Sequence, residues 1–462
     1  MVIRKKDINK IFILFLFAHI IVWTLVPTLT NNNLPLDTIE ALAWGNELKM
    51  GYQKHPPLSA WFLEFFYTIF KNQDWAYYFL SQLFVISSFI IIFKFSGYFF
   101  NEKIYSLLSV LILEGIYFYN FTTPEFNVNV CQLPFWSLTV YYCWKGIEKN
   151  DSIIWLIFGS VAALGVLSKY LFIYLLIGID IFFIYLIITR KFNSKVFISL
   201  ISFFLILTPH IFWLINNDYS TINYAIFRSV NDPLSGFEST KFLNHIIYPL
   251  IFLGKQIGIL IPFLIMLYFI VSRFKFKINY KDKKFLFLIS VTVLPIMLVL
   301  ITSLITGARI RTMGMTPFYL FSGVLIIYLF KNKINLKKLK NFLIIFLILF
   351  ITSPSTYYFI SSSKNNERTD YPGKKIAQII NEEWKKNFSG PIKIAVGFGW
   401  IDGWYAQNLS YHLKERPIWK DKLKNEPTVG TVWIRGYNEI KDCVGILYKI
   451  KPYNDVCMLG KK

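Results

Sequence analysis

Long apolar runs recur from one end of the chain to the other, separated by short polar stretches. Residues 11–27, 196–215, 246–271 and 342–360 each approach or exceed the roughly 17–25 apolar residues that a membrane-spanning helix needs. Reading the whole chain in this way predicts about eleven spans, over 11–29, 76–100, 104–119, 129–145, 153–168, 170–189, 196–215, 246–271, 285–305, 313–330 and 342–361. Only Ser168, Lys169 and Tyr170 separate the two halves of 153–189. Residues 362–462 are polar and mixed, with short β-like runs at 392–396, 431–434 and 444–448 bounded by Gly and Pro. Residues 373–386 have helical amphipathic spacing. The expected architecture is an α-helical polytopic membrane domain over 1–361, followed by a small extracytoplasmic α+β domain over 362–462.

Composition agrees with the pattern. The 462 residues are 55% hydrophobic and only 16% charged, where an ordinary soluble chain carries about 25% charged residues. The net charge of +22 could suggest nucleic acid, but many of the basic residues sit in short loops between apolar runs. Membrane lipid headgroups are the expected partners of such loops, not nucleic acid. Arg4, Lys5, Lys6 and Lys10 precede the first run without a small-residue cleavage pattern after it, so a retained first span is expected.

Charge also orients the spans. With the N-terminus inside, inner loops hold Arg190, Lys191 and Lys195, then Arg273, Lys275, Lys277, Lys281, Lys283 and Lys284, then Lys331, Lys333, Lys337, Lys338 and Lys340. The membrane-proximal outer loops are far poorer in basic residues, as the positive-inside rule requires. The loop over 30–75 and everything after 361 then lie outside. Cys443 and Cys457 fall in an oxidising compartment, where a disulfide or two separate thiols are both allowed.

Candidate chemistry concentrates in the outer loops. The first reads Leu34-Pro-Leu-Asp37-Thr-Ile-Glu40-Ala-Leu-Ala-Trp44, continuing to Lys54-His55-Pro56-Pro57. Asp37 and Glu40, three apart, share one face of a helical turn. The bland alternative is an interfacial amphipathic helix whose acids face water. A second segment, Thr122-Thr-Pro-Glu125-Phe-Asn127-Val-Asn129, carries a solitary acid that could catalyse or simply favour a helix N-terminus. A third group is basic: Lys169, and Arg309 and Arg311 in Gly307-Ala-Arg-Ile-Arg. These cations could snorkel to headgroups or bind a phosphate. Acids beside cations on one membrane face suit sugar transfer from a lipid phosphate: a base takes a hydroxyl proton while cations stabilise the departing phosphate.

These motifs carry a resemblance. Asp37-Thr-Ile-Glu-Ala41 with Lys54-His-Pro-Pro-Leu-Ser-Ala-Trp61 resembles the first-loop pattern of glycosyltransferase family 39, which includes protein O-mannosyltransferases and lipid A aminoarabinose transferases. The likeness continues through Pro124-Glu-Phe-Asn-Val-Asn129, Gly165-Val-Leu-Ser-Lys-Tyr170, Pro209-His-Ile-Phe-Trp213 and Thr306-Gly-Ala-Arg-Ile-Arg311, and into the tail at Glu415-Arg-Pro417. It implies a GT-C fold and an inverting transfer from a polyprenyl-phosphate sugar to an envelope glycan, lipid or protein, at the outer face of a bacterial inner membrane. By position it makes Asp37 the base, with Glu40 and Glu125 as further catalytic acids. Lys54, His55, Lys169, Arg309 and Arg311 become substrate contacts, His55 standing where the aminoarabinose transferases generally carry Lys. The resemblance implies no metal and no cofactor. Specificity is expected in the outer cavity and the loop over 216–241. A transporter of lipid-linked or anionic substrates would also have many spans, but it would place its site at mid-membrane and show internal repeats. An envelope scaffold would leave the 34–61 loop unexplained.

Overall fold

The structure, a computed structural model, describes residues 5–230, 241–275, 278–363, 366–422, 428–436 and 443–462. Helix α1 (Lys5–Thr30) is followed by two shorter helices, α2 (Leu36–Gly45) and α3 (Leu58–Phe70). Then come α4 (Asp74–Ser96), α5 (Lys103–Leu111), α6 (Val128–Lys149), α7 (Ser152–Ser168), α8 (Ile173–Ile188) and α9 (Ile198–Asn216). The amphipathic α10 (Ser220–Val230) precedes α11 (Lys241–Ile270), α12 (Lys283–Thr306), α13 (Ser322–Phe330) and α14 (Leu339–Ser362). Of the expected specificity loop, residues 231–240 lie outside the described residues.

The chain is a multi-pass membrane protein: among the described residues, seven helices are long and apolar enough to cross a bilayer. The pair Thr312–Tyr319 and Ser322–Lys333 is long and apolar enough only when taken together, and it is bent by 50°, the form of a broken span or a re-entrant loop. The other three of the eleven expected segments are helical but differ in form. Helix α7 is apolar and 17 residues long; α6 is 22 residues long but carries charges at its end. The segment 104–119 does not run through as one helix. It tightens to 3-10 turns after Leu111, where the buried Glu114 must be satisfied locally. Asn120 Nδ2 donates to the Glu114 backbone oxygen at 2.8 Å and to its carboxylate at 3.2 Å. His19 Nδ1 lies 3.5 Å from the other Glu114 oxygen, with both side chains fully buried.

Local sequence explains most boundaries. Asn127, Asp151 and Asp282 cap α6, α7 and α12 with side-chain oxygens that accept otherwise orphaned N–H groups. Asn150 at φ 51° ends α6 in the left-handed region, and Gly307 at φ 66° ends α12 the same way. Helices approach closely where side chains vanish. A Cβ on Gly159 would lie 2.0 Å from the Ser199 carbonyl oxygen, so α7 and α9 pack backbone to backbone there. Leu14, Phe17, Ile21, Leu25 and Leu29 of α1 form an exposed apolar stripe, the inverse of a soluble helix.

The C-terminal region is α+β, as expected. Helix α15 (Gly373–Asn387) covers the amphipathic stretch. Strand β1 (Ile394–Val396), α16 (Gly399–His412) and β2 (Ile418–Lys420) form a parallel crossover, followed by β3 (Thr431–Gly436), β4 (Ile446–Ile450) and β5 (Asn454–Leu459). The sheet order is β2-β1-β3-β5-β4, with β1 parallel to both β2 and β3, and β5 antiparallel to both β3 and β4. Cys443 and Cys457 are joined as a disulfide, which resolves the alternative left open by spacing.

This region grips the first loop through polar contacts. Asn32 and Asn33 N–H groups donate to the Thr369 carbonyl oxygen at 2.9 and 3.0 Å, and Asn33 Nδ2 donates to Asn408 Oδ1 at 2.8 Å. Asn46 Nδ2 donates to the Arg416 carbonyl oxygen at 3.0 Å. The Arg416 guanidinium forks onto Glu64 at 3.0 and 2.6 Å and also donates to the Leu42 carbonyl oxygen at 2.8 Å. It lies 3.5 Å above the Tyr67 ring. The fork holds Arg416 at φ 49°, so the Glu-Arg-Pro motif is a clamp.

Candidate active site

The loops joining these helices enclose a cavity of about 970 Å³, and all eight residues singled out from sequence line it: Asp37, Glu40, Lys54, His55, Glu125, Lys169, Arg309 and Arg311. Helix α2 places the acids. Its first turn follows Pro35, which has no N–H and no capping side chain, so the early N–H groups of α2 need partners from elsewhere. Glu125 supplies one: the Asp37 backbone N–H donates to Glu125 Oε1 at 3.0 Å. Thr38 Oγ1 donates to the Phe126 carbonyl oxygen at 3.1 Å, pinning the same turn to the second loop. Asn127 Nδ2 contacts Glu125 Oε2 at 3.4 Å while its own Oδ1 caps α6.

Asp37 lines the cavity and is half-buried, Glu40 is almost fully buried. Burial pushes the Asp37 carboxyl up, and Lys54, Lys169, Arg368 and Arg311, in that order, pull it back. Burial likewise raises Glu40, opposed chiefly by Lys54, whose ammonium is paired directly with Glu40 Oε1. Glu125 is raised by burial and then by the charge of Asp37. Two carboxyls interacting in a desolvated site favour a single proton between them.

On the basic side, Lys169 donates to Asn129 Oδ1, and burial brings its ammonium down to about 8, Asp37 opposing the fall. His55 is brought down to about 3 by burial first, then by Lys169 and Lys54. It is therefore neutral across the physiological range, able to hydrogen-bond but not to hold a phosphate by charge. Arg309 is fixed by its backbone, its N–H donating to the Ser229 carbonyl oxygen at 3.0 Å. Gly51 packs where a Cβ would meet Trp213, and His210 Nδ1 lies 2.5 Å from the Met50 carbonyl oxygen, so the end of α9 braces the first loop. Among the described residues, no group of three or more His, Cys, Asp and Glu side chains is arranged to hold a metal ion.

Four-residue spacing on α10 adds residues that sequence reading did not single out. Tyr224 and Arg228 face the cavity, one turn apart, while Ile222 and Ile226 are exposed. Their period was legible; their direction was not. Arg368, Trp404, Gln407, Trp419 and Asp421 from the C-terminal region also line the cavity, and no local pattern marks them.

With this geometry in view, comparison with known proteins is informative. A family model described as dolichyl-phosphate-mannose-protein mannosyltransferase matches residues 54–213. Among solved structures, ArnT from Cupriavidus metallidurans bound to undecaprenyl phosphate superposes with a TM-score of 0.62 and 12% identity, over 90% of this chain and 86% of that one. The same protein in its apo state gives 0.57 and 12%, over 87% and 85%. The chain shares its fold, of the GT-C type, with ArnT. No curated protein matches it by sequence. In this GT-C chain the matched stretch 54–213 begins at Lys54 and runs through Glu125 and Lys169 to the α9 end that braces the loop.

Proposed function

We propose that this chain is a membrane glycosyltransferase that moves a sugar from a polyprenyl-phosphate donor to a hydroxyl of an envelope acceptor, with inversion. The observation that carries the reading is one cavity holding a half-buried acid pair, Asp37 and Glu125, beside Lys169, Arg311, Arg309 and Arg228. Asp37 accepts the acceptor hydroxyl proton as that oxygen bonds to the anomeric carbon. The bond from that carbon to the phosphate oxygen breaks on the opposite face, and the phosphate keeps the electron pair. Lys169 and the arginines neutralise it, arginine forks suiting phosphate geometry. Glu125 keeps α2 in place, and the Lys54–Glu40 pair fixes the neighbouring acid. Undecaprenyl phosphate in the ArnT structure supports a lipid-phosphate donor here, and the matching mannosyltransferase family supports sugar transfer.

The Cys443–Cys457 disulfide and the loop charge bias support an extracytoplasmic placement of the cavity, at the outer face of a bacterial inner membrane, with residues 362–462 as a separate domain on that side. The test is direct. Purified chain in nanodiscs, given radiolabelled polyprenyl-phosphate sugars and envelope material, forms a labelled glycoside. Label that crosses the bilayer without a new glycosidic bond would overturn the reading in favour of transport.

A further inference from the structure

Away from the acids and cations, the cavity has a wall of different chemistry. It comes from the C-terminal region: Gly399, Trp404 and Gln407 of α16, Trp419 of β2, and Asp421 just after it. Trp404 is 5% exposed and Trp419 is half-buried. Both indole nitrogens are covered and lack an acceptor, so the rings offer the cavity apolar surface and not hydrogen bonds. Hydrogen bonding falls to their neighbours. Gln407 shares the cavity lining with Glu40 and acts to lower its carboxyl, which brings this wall up to the acids. Asp421 Oδ1 accepts the Gly399 N–H at 2.9 Å, and an ionised carboxylate has a second oxygen for a hydroxyl donor.

Aromatic surface, an amide and a carboxylate around one concavity match a pyranose ring. The C–H-rich face of the sugar packs on the electron-rich ring face, and its hydroxyls reach the polar groups at the edge. None of these wall residues is a cation, except Arg368, whose guanidinium lies over Trp404 at 5.4 Å. The wall is therefore poorly suited to a phosphate and well suited to a neutral polyol. A peptide could instead pair with β2, an edge strand of the sheet. That strand is three residues long, too short to hold a chain by ladder bonds alone.

We infer that this wall is the acceptor subsite and that the acceptor it takes is a saccharide ring, which rests on the transfer reading above. Trp419 is then the stacking surface, Gln407 and Asp421 the hydroxyl contacts, and Gln407 the link that brings a bound hydroxyl toward the acids. The experiment uses binding alone, on the full chain in nanodiscs without donor. Saturation-transfer NMR is recorded with oligosaccharides released from cell envelopes by mild acid, and in parallel with tryptic peptides from the same envelopes. Saccharide ring protons receive saturation from the wild type. The signal falls about five- to tenfold in Trp419→Ala and is largely kept in Trp419→Phe, which retains the ring face. Saturation of the peptides alone, or a saccharide signal unchanged in Trp419→Ala, overturns the inference. A second arm measures binding of a polyprenyl-phosphate sugar, expected to be equal in wild type and Trp419→Ala; a loss there assigns the wall to the donor sugar and also overturns it. Neither arm depends on turnover. A wild type that binds saccharide but forms no glycoside defeats only the transfer reading.

Discussion

Two ion pairs leave the same first loop and end in different roles. Lys54 meets Glu40 inside the cavity, and Arg416 meets Glu64 at the seam between the loop and the C-terminal region. Both pairs are largely withdrawn from water, with side chains 20% and 11% exposed in the first and 9% and 16% in the second. The difference lies in what surrounds them. Arg416 spends its fork on both Glu64 oxygens, gives a further bond to Leu42 and rests on Tyr67, so its bonding is directed wholly into the protein. Lys54 pairs with Glu40 at a cavity wall, within the field of Asp37, and its ammonium also lies 6.0 Å from the Tyr224 ring. A cation–carboxylate pair makes a clamp where it is sealed inside protein, and a site where it borders an open volume.

The sharpest break of that comparison is Asp37→Asn, which removes the charge that the cavity cations face. Glycoside formation falls by about 10²- to 10⁴-fold, the usual contribution of a general base, while donor binding persists. Normal transfer by this variant would show that the cavity acids are no more catalytic than Glu64. Next is Arg416→Met, which strands Glu64 in a buried position and costs about 3 kcal/mol. Thermal unfolding and protease nicking of the C-terminal region report it, and the double variant Arg416→Met with Glu64→Met recovers most of the loss. A single variant as stable as the wild type would reduce the clamp to a bystander.

Smaller effects sharpen the contrast. Lys54→Met leaves unfolding almost unchanged but alters transfer by about tenfold, a difference of about 1.4 kcal/mol. Equal damage to stability and to transfer would make both pairs structural. The mildest test is pH. Lys169, lowered to about 8, is charged below that pH and loses its charge as pH rises through it, so donor affinity weakens on the alkaline side. Lys169→Arg stays charged and moves that loss upward. An alkaline limb that does not move removes Lys169 from the phosphate contact.

Much of the site was legible because its parts are local. The Asp37 to Glu40 spacing, the turn at Lys54 to Pro57, and the lone Glu125 each sit in a polar interruption of an apolar sequence, where a charge stands out. All of them line one cavity. Sequence reading left Glu125 open between chemistry and favouring the helix after it; the structure adds a bond it could not foresee, to the first turn of α2, 88 residues away. Arg368, Trp404 and Trp419 were invisible, since a tail rich in ordinary polar and aromatic residues gives no local contrast. The expected run over 104–119 was misjudged in form because the bonds that break it, from Asn120 back to Glu114, depend on burial.

By itself the sequence determined that the chain crosses a membrane repeatedly, where the polar α+β tail begins, and which loops hold ionisable groups, because lipid excludes charge and unpaired backbone from any stretch long enough to span it. Only the tertiary structure decided which charges meet. Pairing of Glu125 with the α2 turn, the Arg416 clamp and the aromatic wall all join residues far apart in the chain, and desolvation, which sets Lys169 and His55 so differently from free side chains, is a property of the assembled cavity and not of any residue's neighbours in sequence.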